Sequence, residues 1–258
     1  MSNSNASSLA NQVCISDLQW YCFKGNEVPG SLLQSVCLFR SKVLFDSGFR
    51  KDFDEQGRLF GDVAYADFES HHVVATVGDR LIGTVRVTPP SGENVARSVL
   101  GPLLYGNMIS KIDGRWDRIL EINRLMIDPE FRELKLGRTL MYAAMALIET
   151  YFERSEYEII GSAGNCTRQA DFFLKHTDYE RIAEMPDHPA PAFNDTISFL
   201  RYKQAPYIKG ADEIQKFQQV FASRAPVPFR KFAVSEMWPS DVSAESSAKP
   251  SGSSQAAS

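Results

Sequence analysis

Glu121-Ile-Asn-Arg-Leu-Met-Ile-Asp-Pro-Glu-Phe-Arg-Glu-Leu-Lys-Leu-Gly-Arg-Thr-Leu140 is the stretch that decides how this chain folds. Together with Ile119 and Leu120, its apolar beginning predicts a strand over 119–127. Asp128-Pro129 closes that strand, since proline restricts the backbone of the residue before it. From Arg132 onward, Leu136, Leu140, Ala143, Leu147 and Tyr151 recur at three- and four-residue spacing, the stripe of a helix with one buried face. The first N–H groups of such a helix lack intrahelical partners, and its dipole favours an anion. Gly137 would let backbone approach a ligand closely, and a pyrophosphate or a phosphopantetheine phosphate suits that geometry. The same pattern also describes a plain strand-to-helix connection with solvated arginines.

Strand and helix signals continue outward from this block. Leu18 to Phe23 reads as a strand broken by Gly-Asn and Pro-Gly, and Ser31 can cap a helix through Leu32, Val36, Phe39, Val43 and Leu44. His71–Val77 and Leu81–Val87, on either side of Gly78-Asp-Arg, predict a β-hairpin, and residues 91–117 hold Gly, Pro and a polar helix. Tyr157–Ala163 reads as a strand, Arg168–His176 as a helix, Thr196–Tyr202 as a strand and Asp212–Phe221 as a short helix. That order predicts an α/β fold around one mixed sheet.

Composition narrows the function classes. The 258 residues are 43% apolar and carry a net charge of −4, so no global basic field points to nucleic acid. The longest apolar run, Leu140 to Ile148, is far too short to cross a bilayer, and Met1 to Ser8 has neither the basic nor the apolar part of a signal peptide. No transmembrane segment and a cytoplasmic location are therefore expected. Cys14, Cys22, Cys37 and Cys166 form no Cys-x-x-Cys pair and read as reduced thiols. His71 and His72 are adjacent on a strand and face opposite sides, while His176 and His188 lack partners at ligand spacing, so no metal site is expected. Cys166 and Ser162 sit where a nucleophile would, yet no Gly-x-Ser-x-Gly elbow and no placed His–acid pair accompany them. Ser/Asn/Ala-rich and Ser/Ala-rich ends bound the foldable body. The expected organisation is a disordered N-terminus over 1–14, one main domain over 15–206, a C-terminal extension packed on it over 207–239, and a disordered tail over 240–258.

The central block resembles the donor-binding motif of GNAT-type acyltransferases, Arg/Gln-x-x-Gly-x-Gly/Ala. Arg132 and Gly137 occupy its first and last positions, and Lys135 stands where the first glycine belongs. Asn165 and Asp171-Phe-Phe-Leu-Lys-His-Thr-Asp-Tyr-Glu-Arg resemble that family's second acyl-donor motif. Phe173 is at its usual tyrosine, and Asp178-Tyr179 replaces Gly-Phe. The phenolic general acid of many acetyltransferases is thus missing. A narrower resemblance spans roughly residues 32–182. Arg40-x-x-Val43, an acidic stretch ending in Asp67, Gly83-Thr-Val-Arg86-Val-Thr-Pro89 and Glu121-Ile-Asn-Arg124 together resemble the N-acyl amino acid synthases and the acyl-homoserine lactone synthases. Leu44 sits where the lactone branch has Phe, no Trp lies between Phe45 and Asp67, and the Asp-x-x-Asp pair is not clean, which favours the amino acid branch. The resemblance implies a GNAT-like (acyl-CoA N-acyltransferase) fold with a mixed, mostly antiparallel sheet flanked by helices. It also implies an acyl carrier protein as donor and a long-chain N-acyl amino acid as product.

On that basis Glu121 is the candidate catalytic residue, accepting a proton from the attacking amine directly or through water. The alternative is a structural salt bridge to Arg124 or Arg86. Strand parity puts Arg124 on the opposite face from Glu121, bracing the acidic loop with Asp67 as partner. Arg40 and Arg86 either orient a substrate carboxylate or form internal ion pairs. Backbone N–H groups near Leu125 and Ile127 are candidate oxyanion donors. Arg132, Lys135, Gly137, Arg138 and Asn165 complete the donor site. Arg132, Lys135 and Arg138, with Arg168, form a local basic cluster that either docks an acidic carrier protein or phosphate or is simply solvated. No permanently bound cofactor is expected, and the co-substrate is an acyl-phosphopantetheine thioester on carrier protein or coenzyme A. The expected reaction transfers this acyl group to the amine of an amino acid or similar small molecule. The alternatives are a coenzyme-A-dependent N-acetyltransferase, an acyl-homoserine lactone synthase and a catalytically silent acyl-thioester-binding module.

Overall fold

Val, Ile and Thr dominate His71–Val77 and Arg80–Thr88, and these β-branched residues suit a pleated, buried surface. They form β2 and β3, an antiparallel pair that carries β1 (Gln19–Lys24) on one side and β4 (Ile119–Ile127) on the other. The computed structural model describes residues 13–50, 64–90, 93–112, 114–203 and 209–223. Beyond β4 come β5 (Glu158–Gly164) and β8 (Asp195–Tyr202), with the short β6 (Tyr179–Arg181) and β7 (His188–Ala190) both pairing with β8. Among the described residues every pairing is antiparallel except β4 with β5.

Helix α4 (Leu136–Tyr151) lies across β2, β3 and β4, and its Leu136, Leu140, Ala143 and Leu147 share one core with Val73, Val85 and Ile122. Helix α5 (Gln169–His176) adds Phe173 to that core, and α6 (Ala211–Ala222) packs Ile214 and Phe221 against it. Two helices cover the other face. Helix α1 (Gly30–Asp46) packs Leu32, Val36 and Phe39 with Val74 and Leu81, while α3 (Val95–Lys111) packs Tyr105, Met108 and Ile109 with Ile119, Ile160 and Phe199. The single turn α2 (Ala66–Glu69) sits beside β3 and the end of β1. No helix among the described residues is long and apolar enough to cross a membrane.

Most sequence-predicted elements fall within a residue or two of their observed ends. Three differences bear on the site. Helix α4 starts at Leu136, not near Arg132, because Asp128 accepts the N–H of Glu130 and Pro129 opens a tight 3-10 turn through Leu134. Lys135 then adopts a left-handed conformation (φ 56°), so Arg132, Lys135 and Arg138 do not share one helical face. Within the 91–117 segment, Val95–Lys111 form α3, capped by Asn94 and kinked at Gly101, whose φ of 73° breaks the helix just before Pro102. The third difference is a bulge in β4, described below. Of the expected C-terminal extension, α6 packs on α4. Residues 1–12 of the N-terminus expected to be disordered over 1–14, the expected tail over 240–258, and residues 224–239 lie outside the described residues.

Gly25 holds Asp67 in place. A Cβ at Gly25 would stand 2.0 Å from the Asp67 carbonyl oxygen, and the Gly25 N–H donates to Ser70 O at 3.0 Å. Backbone thus meets backbone with no room for a methyl group. Gly25→Ala is expected to destabilise the fold by about 1–3 kcal/mol or more, read as a lower urea midpoint; an unchanged midpoint would remove this close approach from the account.

Candidate active site

Arg40 from α1, Arg86 from β3 and Asp67 from α2 are all buried and meet under the sheet. Arg40 Nη1 and Nη2 donate to Asp67 Oδ1 and Oδ2, both at 2.8 Å, and Arg86 Nη1 donates to Oδ1 at 2.7 Å. The Ala64 N–H completes Oδ2, and His72 Nε2 lies 2.9 Å from the Asp67 carbonyl oxygen. Burial alone would raise the Asp67 carboxyl pKa, but the two guanidinium groups hold it well below the ordinary carboxylate range. Asp67 therefore pairs with Arg40 and Arg86, not with Arg124 as strand parity suggested. Arg124 instead lies over the Phe193 ring at 5.3 Å.

From Arg86 the polar chain continues across β4. Arg86 Nε donates to Asn123 Oδ1 at 2.8 Å, and Asn123 Nδ2 donates to Glu121 Oε2 at 2.8 Å and to Thr88 Oγ1 at 3.1 Å. Glu121 is fully buried and accepts four hydrogen bonds. Oε2 receives Val95 N (2.7 Å) and Asn123, while Oε1 receives Ala96 N (3.0 Å) and Ser162 Oγ (2.5 Å). Its carboxylate thus closes the first turn of α3, where the helix dipole favours a negative charge. Neither Arg86 nor Arg124 is among its hydrogen-bond or salt-bridge partners.

The bulge sets the shape of the site. Thr84 pairs with Met126 and Arg86 with Asn123, so Arg124 and Leu125 together oppose Val85. Arg124 takes φ 53° there. The parallel β4–β5 pairing stops at Ile122–Gly161, and the strands splay beyond it. A narrow cleft of about 90 Å³ opens at the fork, walled by Leu44, Leu125, Met126, Ser162, Phe193 and Ile197 among others. Asn123, Arg124, Leu125 and Met126 all line it, which strict alternation along a strand would forbid. The bulge is the reason. Met126 and Ile127 remain in register with β3, and Gln169 Nε2 donates to Leu125 O at 3.1 Å across the gap.

A larger cavity of about 540 Å³ adjoins the cleft, sharing Val95, Arg124 and Phe193 with it. Arg86, Arg97 and Arg124 give it a basic wall, with Glu93 and Asn94 beside them. Arg97, Phe193 and Gln169 were not singled out from sequence, because they reach the site from elements distant along the chain.

The remaining predicted donor residues are dispersed around α4 and α5. Arg132, Lys135 and Arg138 are exposed near the start of α4, with Arg132 Nη2 3.3 Å from Ser47 Oγ. Gly137 is buried, and the space a side chain would need is filled by Phe172 and Ile127, at 3.2 and 3.3 Å from a built Cβ. Asn165 Nδ2 donates to Thr196 Oγ1, and its Oδ1 accepts from Ser198 Oγ, which ties the end of β5 to β8. No group of His, Cys, Asp and Glu among the described residues has metal-binding geometry.

A buried histidine, His72, and a half-buried one, His71, make stability depend on pH. Burial first, and then Lys24, lowers the His71 pKa to about 4; burial and Arg40 lower that of His72 to about 3. Between pH 6.5 and 4 the unfolded chain takes up protons at both rings that the folded chain refuses, so stability falls as pH falls. Asp67, held ionised when folded, adds to the loss below the ordinary carboxylate range. Thermal midpoints are expected to decline steadily from pH 7 to pH 4, and a flat profile would show that neither ring is desolvated in the folded chain.

A family model described as N-acyl amino acid synthase FeeM matches residues 38–192. No curated protein matches the chain by sequence. Among solved structures, the CoA-dependent acyl-homoserine lactone synthase BjaI, with SAM and isopentyl-CoA, is 12% identical, with 80% of this chain and 90% of that one covered at a TM-score of 0.53. TofI, in a ternary complex with an inhibitor and MTA, is also 12% identical, covering 71% and 91% at 0.51. FeeM, an N-acyl amino acid synthase from uncultured soil microbes, is 12% identical, covering 72% and 91% at 0.46. At such identities the first two likenesses are likenesses of fold, and the sheet described above is the GNAT-like one expected from the motifs.

Proposed function

Because the chain belongs to the FeeM family of N-acyl amino acid synthases and is an acyltransferase, we propose that it moves a long-chain acyl group from an acyl carrier protein to the amine of an α-amino acid. The observation that carries this reading is the junction of two differently lined spaces. A cleft at the β4–β5 fork with Leu44, Leu125, Met126 and Ile197 in its wall meets an arginine-walled cavity at Val95, Arg124 and Phe193. The fork accommodates the thioester end of the donor against Leu125 and Met126, and the bulge backbone faces the developing oxyanion. The basic cavity suits an acceptor carrying a carboxylate, which a guanidinium matches bidentately. Arg97 and Arg124 serve that carboxylate, while Arg86 stays committed to Asp67 and Asn123. The amine then enters the fork beside Ser162. Since the thioester is already activated, holding the two reactants together and removing the amine proton are the main demands on the protein.

Carrier protein is the proposed donor because the start of α4 has little space for a pyrophosphate. Lys135 replaces a glycine, and Gly137 is packed against Phe172 and Ile127. A carrier-protein phosphopantetheine has a single phosphate. Mass spectrometry of products from carrier-protein and coenzyme A donors of graded chain length, offered with the standard α-amino acids, tests the reading. An N-acyl amino acid formed more efficiently from the carrier protein is expected. Acetylation of a non-amino-acid amine from acetyl-coenzyme A alone would overturn it.

The basic residues at this end make a separate prediction. The chain carries net −4, so an acidic partner needs a local positive patch for productive encounter. Reversing Lys135 and Arg138 to Glu is expected to lower kcat/KM for acyl-carrier protein roughly tenfold at low salt. Activity with a short acyl-pantetheine should stay unchanged. Parallel losses with both donors would assign the cluster to the phosphate or to the fold.

A further inference from the structure

Resting on the acyl-transfer reading above, we propose that Ser162 is a catalytic residue, taking the proton from the attacking amine as it passes its own to Glu121. The argument begins with Glu121. It is fully buried and does not line the cleft, so it meets no substrate directly. Among its four donors, Val95 N and Ala96 N belong to α3, and Asn123 is bound on its other side by Arg86. Ser162 is the donor that combines an exchangeable hydroxyl proton with a place at the fork. Its Oγ–H points to Glu121 Oε1 at 2.5 Å, a length typical of a charge-assisted hydrogen bond. No described residue donates to Ser162 Oγ, so its lone pairs remain for a group in the cleft. Its position in the sheet is equally specific. Gly161 makes the last β5 pair with β4, and Ser162 is the next residue, where the strands separate.

The step balances without any further reagent. The neutral amine nitrogen forms a bond to the thioester carbonyl carbon, and the carbonyl π pair moves onto oxygen. One N–H proton passes to Ser162 Oγ while the Ser162 proton passes to Glu121 Oε1. The oxyanion then re-forms the carbonyl, the C–S bond breaks, and the thiolate leaves with the electron pair. The proton on Glu121 returns through Ser162 to the thiolate. A carboxylate suffices as the final proton acceptor because nitrogen in the tetrahedral adduct is far more acidic than a free ammonium group. In this role Ser162 is never acylated, and the absence of a nucleophile elbow is consistent with that.

The experiment compares Ser162→Ala, Ser162→Thr and Ser162→Val in the full chain. The donor is lauroyl-loaded acyl carrier protein, and the acceptor is the amino acid that the wild-type enzyme acylates best. Thr and Val have the same shape and suit a strand, so their difference isolates the hydroxyl. The Ala and Val variants are expected to lose about 10²–10³ in kcat with donor KM unchanged, and Thr to recover most of it. In the Ala and Val variants kcat should keep climbing with pH beyond the wild-type plateau, since solvent must then take the proton. Tyr105 and Tyr179 also lie near Glu121, but burial holds the first pKa up at about 12 and the second well above its ordinary value, so neither phenol shapes that profile. Equal activity of Thr and Val, an Ala variant within about threefold of wild type, or an acyl adduct on Ser162 in the intact-protein mass would overturn the assignment. Absence of any N-acyl product from wild-type enzyme with every donor would overturn the acyl-transfer reading itself, and the assignment with it.

Discussion

Replacing Asp67 with asparagine will cost the fold about 3–5 kcal/mol, the range seen when one partner of a buried ion pair is removed. Arg40 and Arg86 are both buried, and Asp67 is the carboxylate that receives both. An asparagine there presents one carbonyl oxygen and an NH2 group that confronts a guanidinium donor. The loss should appear as a urea midpoint far below wild type, with the slope of the transition unchanged. The same reasoning predicts the opposite for joint replacement. Arg40→Met, Asp67→Leu and Arg86→Met together remove these three charges at once, and such apolar substitutions are often neutral or stabilising. Activity is expected to suffer even so, because Arg86 holds Asn123, and Asn123 helps to hold Glu121. A triple variant as unstable as Asp67→Asn would show that the cluster stabilises by packing and not by charge pairing.

Glu121→Gln is expected to lower turnover by ~10²–10⁴, the range for loss of a proton acceptor. It should also weaken the fold by about 1–3 kcal/mol, since a glutamine NH2 must face donors that the carboxylate now satisfies. The two effects separate experimentally. Donor KM should remain near wild type, and a denaturation curve at assay temperature should show the variant folded. The Glu121→Gln and Ser162→Ala losses should not add, because both groups serve one proton path. A double variant that multiplies the two losses would place Ser162 and Glu121 in separate roles. Full turnover in a folded Glu121→Gln enzyme would remove Glu121 from the proton path.

Much of the architecture was legible in local pattern. The strand Ile119–Ile127, the hairpin from His71, the α1 stripe and the late strand ending at Tyr202 all follow from apolar periodicity, which depends on near neighbours. Glu121 and Asn123, two apart on a strand, share a face and are hydrogen-bonded, also as alternation predicts. Alternation failed at Arg124. The bulge inserts one residue against β3 and re-aims the side chain towards the same cleft as Asn123. Nothing in Asn-Arg-Leu-Met marks that extra residue, because a bulge is a property of pairing between two strands. Lys135 misled for a related reason. It occupies a left-handed position usual for glycine, so a motif written in glycines is incomplete while the turn still forms.

Sequence alone determined the order of elements, the α/β class of fold and the residues with chemistry to offer, since periodicity, breakers and side-chain type are carried by short stretches of chain. The GNAT-like expectation came from the motifs that resemble that family. Tertiary structure decided the pairing of those residues. Asp67 meets Arg40 and Arg86 because α2 is pressed against Gly25, and Glu121 meets Ser162 because β4 and β5 run parallel up to the fork. Hydrogen bonds and ion pairs act over a few ångströms, and Glu121 and Ser162 are 41 positions apart along the chain. Only the closed sheet brings them within that range.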